Sequence, residues 1–333
     1  SRRSKNEYYV DVMVIIDPGL WDLYYSLVQT PNAAEKTNLV KAKIRESYSH
    51  IINGVDLIYK EIEDPSISIT VTLSGFIFFE LEGSFKHLTA DITIINGVKY
   101  IEQSQYIHDL YYWDINGTNN VTVFDQALLF TRYNLYKASP RNNKFIGISN
   151  VGGVCDLGRR FSIIEASDYS LTVTTAAHEL GHSLGAVHDG EGAGINCKPS
   201  DLFIMAPETY FPSREKQYTR NPWLFSYCSV NSFRMTLKTK DCVKEKGMVY
   251  DEQEWMNYTM KQPGEVYSLD EQCQHTNGPN SRYFVGNIKS VCEFMECTDP
   301  KTRQCMRKYF GAARGTTCGH NMWCIEGKCV LKG

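Results

Sequence analysis

Residues 178–190 read HELGHSLGAVHDG. On a helix, His178 and His182 are four positions apart, so their imidazoles stack on one face and can hold one ion at about 2.0–2.1 Å. Glu179 lies one step round from His178, close enough to reach a water on that ion without joining its coordination shell. Gly185 stands where the helix must stop if the chain is to turn sharply, because a residue without Cβ takes left-handed φ at no steric cost. That turn delivers His188 as a third ligand. Three imidazoles leave one tetrahedral position to water, the open arrangement of a catalytic zinc, and Glu179 becomes the base that takes the water's proton and returns it to a leaving amine. The bland reading, ordinary histidines on an amphipathic helix, loses on frequency. H-E-x-x-H arises by chance in roughly one chain of this length in a hundred, and the added Gly and His cut that about a thousandfold. His50, His87, His108, His275 and His320 have no partner at ligand spacing and are read as solvated or structural.

Several elements must carry this constellation. Tyr8 to Ile16 is β-branched and apolar around one acid, Asp11, and ends at Asp17-Pro18-Gly19, which predicts a buried strand and a turn. Val40, Ile44, Tyr48, Ile51, Val55 and Ile58 recur every three or four positions, a helix with one apolar stripe, locally weakened by Gly54. Ile67, Ile69, Val71 and Leu73 alternate with polar residues, a strand with one wet face. The stretch from Glu82 to Asn120 reads as an irregular surface insertion, Asp125 to Leu135 as a helix, Phe145 to Ser149 as a strand, and Ser170 to Gly185 as the helix bearing the histidines, with Ser170 as its cap. Strand, helix, strand points to an α/β domain.

Lys and Arg number 35 against 38 Asp and Glu, a net charge of -3, without the basic excess that nucleic-acid binding needs. The longest apolar segment, Ile67 to Leu81, is interrupted by Ser, Thr and Gly, so no membrane span is expected. Seven of eleven cysteines fall between Cys273 and Cys329, about one residue in eight there, which marks a small module stapled by disulfides and an oxidising, extracellular setting. Sequons at Asn116, Asn120 and Asn257 fit secretion and glycosylation. The basic start Ser1-Arg2-Arg3-Ser4-Lys5 reads either as the remnant of a convertase cut or as an arbitrary boundary. The expected division is a catalytic domain over 1–245, a polar linker over 246–262 and a disulfide-rich module over 263–333.

H-E-x-x-H-x-x-G-x-x-H resembles the metzincin signature, and Ile204-Met205-Ala206-Pro207 looks like the Met-turn whose methionine lies beneath the metal in that clan. Asp189 after the third His, with Val151-Gly152-Gly153-Val154-Cys155-Asp156 upstream, is similar to the adamalysin or reprolysin branch. Pro263-Gly264-Glu265-Val266-Tyr267, Gly315-Thr316-Thr317-Cys318-Gly319 and Gly327-Lys328-Cys329-Val330 resemble the disintegrin-like module of ADAMTS proteases, although no thrombospondin repeat follows. The layout also looks like secreted salivary or venom metalloproteases of arthropods, toxins by analogy. The resemblance is strongest over 151–207 and 263–330.

The resemblance implies an α/β (α+β) metzincin domain with a mixed, mostly parallel sheet and a zinc-binding active-site helix, and a secreted zinc endopeptidase acting on extracellular proteins or peptides, expected as a monomer. It implies a structural Ca²⁺ at Asp11, Asp125 and the carbonyl of Cys242. Gly147 and Ile148 would pair with substrate as an edge strand, and Met205, Ala206 and Pro207 would shape the pocket after the cut. It implies Cys155–Cys242, Cys197–Cys228, Cys273–Cys297, Cys292–Cys324 and Cys318–Cys329. The module normally has eight cysteines; the missing one falls at Phe284, leaving Cys305 as the odd thiol, unbridged within the monomer or joined to another chain. The rival reading is an adhesion or inhibitory protein working through the module. No Arg-Gly-Asp occurs, and Arg314-Gly315-Thr316 is a poor substitute.

Overall fold

The computed structural model describes residues 6–332 except 82–89, 117–123, 143–145, 209–219, 248–249, 285, 287 and 307–310. The chain opens with strand β1 (Asn6–Ile16), helices α1 (Pro18–Leu27) and α2 (Ala33–Lys60), and strand β2 (Ile67–Phe78). A small sheet unit and helix follow: β3 (Ile92–Ile95), β4 (Val98–Glu102) and α3 (Gln103–Ile115). Then come β5 (Gln126–Thr131), β6 (Asn134–Tyr136), β7 (Gly147–Ser149), β8 (Phe161–Glu165) and α4 (Tyr169–Ser183). The main sheet has the order β2-β1-β5-β8-β7. Its first four strands are parallel, and β7 closes one edge antiparallel to β8, with Gly147 opposite Ile164 and Ile148 opposite Ile163. This is the mixed, mostly parallel sheet that was expected.

α2 and α4 pack on one face of the sheet around Val12, Val14, Ile44, Val55, Leu128, Phe130, Ala177 and Leu180, all essentially inaccessible. Gly54 weakens α2 as a helix but serves its packing. A Cβ there would sit 2.9 Å from the Tyr169 hydroxyl and 3.0 Å from Val173, so its absence lets α4 lie close. The other face carries a second core of Met13, Ile15, Leu129, Phe161 and Ile163 against α3 residues Tyr106, Leu110 and Trp113.

Three local expectations need correcting. Asp125 to Leu135 is not a helix but β5 and β6. Every residue of β5 is buried, and a short run wetted on neither face carries no period to tell strand from helix. Nor is 82–120 structureless where described: it supplies β3, β4 and α3, whose apolar residues at 106, 110 and 113 form an inward stripe. The α4 cap is Asp168, whose carboxylate accepts from the Leu171 N–H at 3.0 Å, while the Ser170 hydroxyl donates to the Gly311 carbonyl instead.

After α5 (Tyr227–Leu237), the stretch expected as a linker contains α6 (Glu252–Thr259), which packs beside α2 with Arg45 paired to Glu254 at 3.2 Å. The module then runs through α7 (Pro263–Val266), α8 (Leu269–Asn277) and the short strands β9 (Cys297–Thr298), β10 (Cys305–Met306), β11 (Thr317–Gly319), β12 (Met322–Ile325) and β13 (Lys328–Leu331). Disulfides join Cys273 to Cys297, Cys292 to Cys324 and Cys318 to Cys329; in the sheet domain Cys155 joins Cys242 and Cys197 joins Cys228. Cys305 is exposed and belongs to none of these bridges, and Phe284 stands exposed on the chain leading to β9. No helix among the described residues is long and apolar enough to cross a membrane.

Candidate metal centre

The C-terminal half of α4 places His178 and His182 one turn apart, and the chain then reverses at Gly185, whose φ of +103° no side chain favours. The reversal is hydrogen-bonded: Gly185 N–H donates to His182 O at 2.8 Å and Ala186 N–H to Gly181 O at 3.0 Å. The glycine-rich segment before Cys155 completes this end, with Gly152 N–H on His182 O and Val154 N–H on Ser183 O. His188 arrives beside the other two. The His178 and His182 Nε2 atoms lie 3.1 Å apart, and those of His182 and His188 lie 3.2 Å apart.

Backbone carbonyls decide the protonation of two rings. His178 Nδ1 is 2.7 Å from the Ile204 carbonyl and His182 Nδ1 is 2.8 Å from the Ala186 carbonyl. A carbonyl only accepts, so each Nδ1 carries the proton and each Nε2 turns a bare lone pair inward. Burial, with the neighbouring imidazoles adding to it, pushes His178 down to about 3, and burial pushes His182 down to about 4. Converging lone pairs repel one another unless a cation lies between them. A tetrahedral ion with bonds of about 2.0–2.1 Å needs ligand nitrogens about 3.3 Å apart, so the three imidazoles fit zinc. They are one of the side-chain groups among the described residues able to hold a metal.

The methionine turn supports this from below. Met205 is wholly buried, its sulfur against Gly181, where a Cβ would come within 2.8 Å of it. Its carbonyl accepts from the Asp189 N–H at 2.9 Å, so the turn anchors both His178, through Ile204, and the segment after His188. Asp189 is fully buried and accepts from the Ser226 hydroxyl at 2.7 Å. Ala206 is buried and Pro207 exposed beside it.

Glu179 is 5% exposed, one of its carboxylate oxygens has no partner, and burial pushes it up to about 8. It faces Gly147 of β7. Behind it runs a buried polar chain: the Ser183 hydroxyl donates to Gln126 at 2.5 Å, Gln126 donates to Ser162 at 3.0 Å, and Ser162 meets Ser149 at 2.8 Å. These hydroxyls and the amide were absent from the sequence reading, as were the carbonyls of Ile204 and Ala186. Nothing in the sequence marks a carbonyl, and the serines acquire meaning only once the strands are side by side.

Residues 9–246 match the Reprolysin (M12B) family zinc metalloprotease profile. The chain belongs to that family. Residues 263–330 match ADAMTS cysteine-rich domain 2. This reprolysin chain is 30% identical over 331 residues to human "A disintegrin and metalloproteinase with thrombospondin motifs 7", covering 95% of this chain and 18% of that protein. It is 28% identical over 310 residues to a Bombyx mori "A disintegrin and metalloproteinase with thrombospondin motifs like" protein, covering 87% and 41%. With the mouse "A disintegrin and metalloproteinase with thrombospondin motifs 12" the identity is 32% over 212 residues, 63% of this chain and 12% of that one. The chain thus spans less than half the length of each of these relatives. Family membership and the histidine cluster support zinc.

The remaining expected positions are dispersed. The Asp125 carboxylate accepts from the Asp11 N–H at 2.9 Å, while the Asp11 carboxylate accepts from the Thr72 hydroxyl. Burial, opposed by the bond from Asp11 N–H and assisted by the Asp11 charge, pushes Asp125 up to about 7. The metal-capable group there joins Asp125 with Cys155 and Cys242, whose sulfurs are already bonded to each other, so side chains alone do not form an oxygen cage. Asn116 ends α3 and Asn257 lies on α6, both exposed; Asn120 falls outside the described residues.

Proposed function

We propose that this chain is a secreted zinc-dependent endopeptidase that hydrolyses extracellular proteins or peptides, with Glu179 as its general base. The observation that carries the reading is the convergence of the Nε2 atoms of His178, His182 and His188 next to the buried Glu179 carboxylate, whose Oε2 has no hydrogen bond. His178, His182 and His188 would hold the ion, which when bound supplies Lewis-acid polarisation of the scissile carbonyl and of the attacking water. Glu179 takes one proton from that water as its oxygen bonds to the carbonyl carbon, then passes it to the nitrogen as the amide bond breaks, so the products are a carboxylic acid and an amine. Among the described residues β7 has no strand on its outer edge, and an extended peptide would add there as a further strand through Gly147 and Ile148. Ala206 and Pro207 would shape the pocket after the cut. Five disulfides support an extracellular setting, since such bridges persist where thiols are oxidised.

Peptide-library cleavage with and without a zinc chelator, alongside the zinc content per chain, tests this. Sequence-dependent cutting that vanishes on chelation and returns with zinc is expected; cutting unaffected by chelation would overturn it. Calcium is proposed on narrower grounds, two adjoining buried acids whose charges oppose each other, Asp11 and Asp125, with the Cys242 carbonyl as third ligand. A calcium-dependent rise in melting temperature that Asp125→Ala abolishes is expected.

A further inference from the structure

Gly147 approaches Glu179 more closely than any side chain would permit. A Cβ built on Gly147 would lie 2.7 Å from both Cγ and Cδ of Glu179, and nearer still to a carboxylate oxygen. Real Cβ atoms do not come this close, so something must yield. The strand cannot readily retreat. β7 is paired to β8, and the chain Ser183–Gln126–Ser162–Ser149 pins α4, β5, β8 and β7 at fixed separation through hydroxyl and amide contacts, three of whose four members are fully buried. Ser162 also reaches the Glu179 carbonyl at 3.4 Å, tying the backbone of the base to the same chain. Glu179 Oε2, by contrast, has no hydrogen bond holding it. The yielding group is the carboxylate.

We propose that Gly147 is a positioning residue: the missing Cβ creates the slot in which the Glu179 carboxylate lies, so the residue at 147 sets where the base points. This rests on the reading of Glu179 as the base, but its steric part stands without it. Nothing about the φ of Gly147 requires glycine, so the constraint is the neighbour and not the backbone. Any larger residue there would push the carboxylate out of line while leaving His178 and His182, held by the Ile204 and Ala186 carbonyls, in place.

The test is a pair of double-mutant cycles on the full chain. Gly147→Ala should retain one zinc per chain and a KM within about twofold of the parent while kcat falls about tenfold to a hundredfold, the cost of misplacing a reacting group by about an ångström. Added to Glu179→Asp, whose carboxylate is one methylene shorter, Gly147→Ala should cost less than about twofold more, because the slot is no longer filled to its end. Melting temperature gives the second cycle, independent of turnover: Gly147→Ala should lower it in the parent and leave it unchanged on Glu179→Ala, where the space is vacant. An equal loss in both backgrounds would overturn the inference, as would unchanged kcat in Gly147→Ala. If the zinc-loaded parent cuts no peptide while the melting cycle still shows coupling, the slot survives and the endopeptidase reading fails.

Discussion

Between Asn6 and Val243 the interior is made of Val, Ile, Leu and aromatic rings packed on both faces of a sheet, and its two disulfides tie Cys155 to Cys242 and Cys197 to Cys228 of α5. Among the described residues of the module, the buried core cluster has eight members, five of them the cysteines Cys273, Cys292, Cys297, Cys318 and Cys324, beside Val291, Met295 and Ala312. The contrast teaches where each region keeps its stability. The sheet buries enough apolar area to fold on hydrophobic burial, while the module, too small for that, relies on covalent closure of its unfolded chain. The three histidines and Glu179 belong to the first region, yet the second touches the helix that carries three of them, His178, Glu179 and His182, since Ser170 near the start of α4 donates to Gly311.

The largest effect should follow Glu179→Ala, which separates chemistry from fold. Turnover should drop about a hundredfold to ten-thousandfold, the contribution of one proton-transferring group, with zinc retained. Its melting temperature should not fall, because the deleted Oε2 has no hydrogen bond to lose. Parallel turnover assays and calorimetry check both halves.

Opening Cys292–Cys324 by double substitution to Ser should remove about 2–5 kcal/mol from the module alone. Limited proteolysis should then nick 263–330 before the sheet domain; simultaneous cleavage in both regions would show that they unfold as one and erase the contrast.

Acid should loosen the junction next. His50 is 1% exposed with both ring nitrogens unpartnered, and His275 packs between Tyr24 and Tyr267. Burial pushes His50 down to about 4 and, with the Lys43 charge adding and Glu271 opposing, His275 down to about 3. Both must stay neutral to remain folded, whereas in the unfolded chain they take protons near pH 6.5. Their contribution is therefore complete above that pH and is lost as the pH falls towards 4 for His50 and 3 for His275, at about 1.4 kcal/mol per pH unit for each group. His275→Phe should flatten the fall in a melting-temperature titration.

The smallest expected effect belongs to Arg132, whose guanidinium donates to the Ala166 carbonyl at 2.6 Å and, across the junction, to the Thr276 carbonyl at 2.9 Å. Arg132→Ala should cost about 1–3 kcal/mol. Faster hydrogen exchange on α8 than on α4 would place the loss at the junction.

What the sequence disclosed followed from distance along the chain. The histidine helix was legible because the i, i+4 spacing of His178 and His182 places both on one face, and α2 because its stripe recurs with a helical period. β5 was misread because a strand buried on both sides has no period. Asp168 was passed over for Ser170 since either residue type caps a helix, and only tertiary contact with Gly311 draws Ser170 away. Ser226, 37 residues beyond Asp189, and the serine and glutamine chain behind Glu179 could not be seen, because pairing across a sheet leaves no trace in local order.

β7 is three residues long. At about 3.3 Å per residue, a guest strand can lie along it for only about 10 Å. On the proposed function, such a short rail would grip little more than the bond being cut and its immediate neighbours, and selectivity among full-length proteins would have to come from patches that meet the substrate far from the scissile amide.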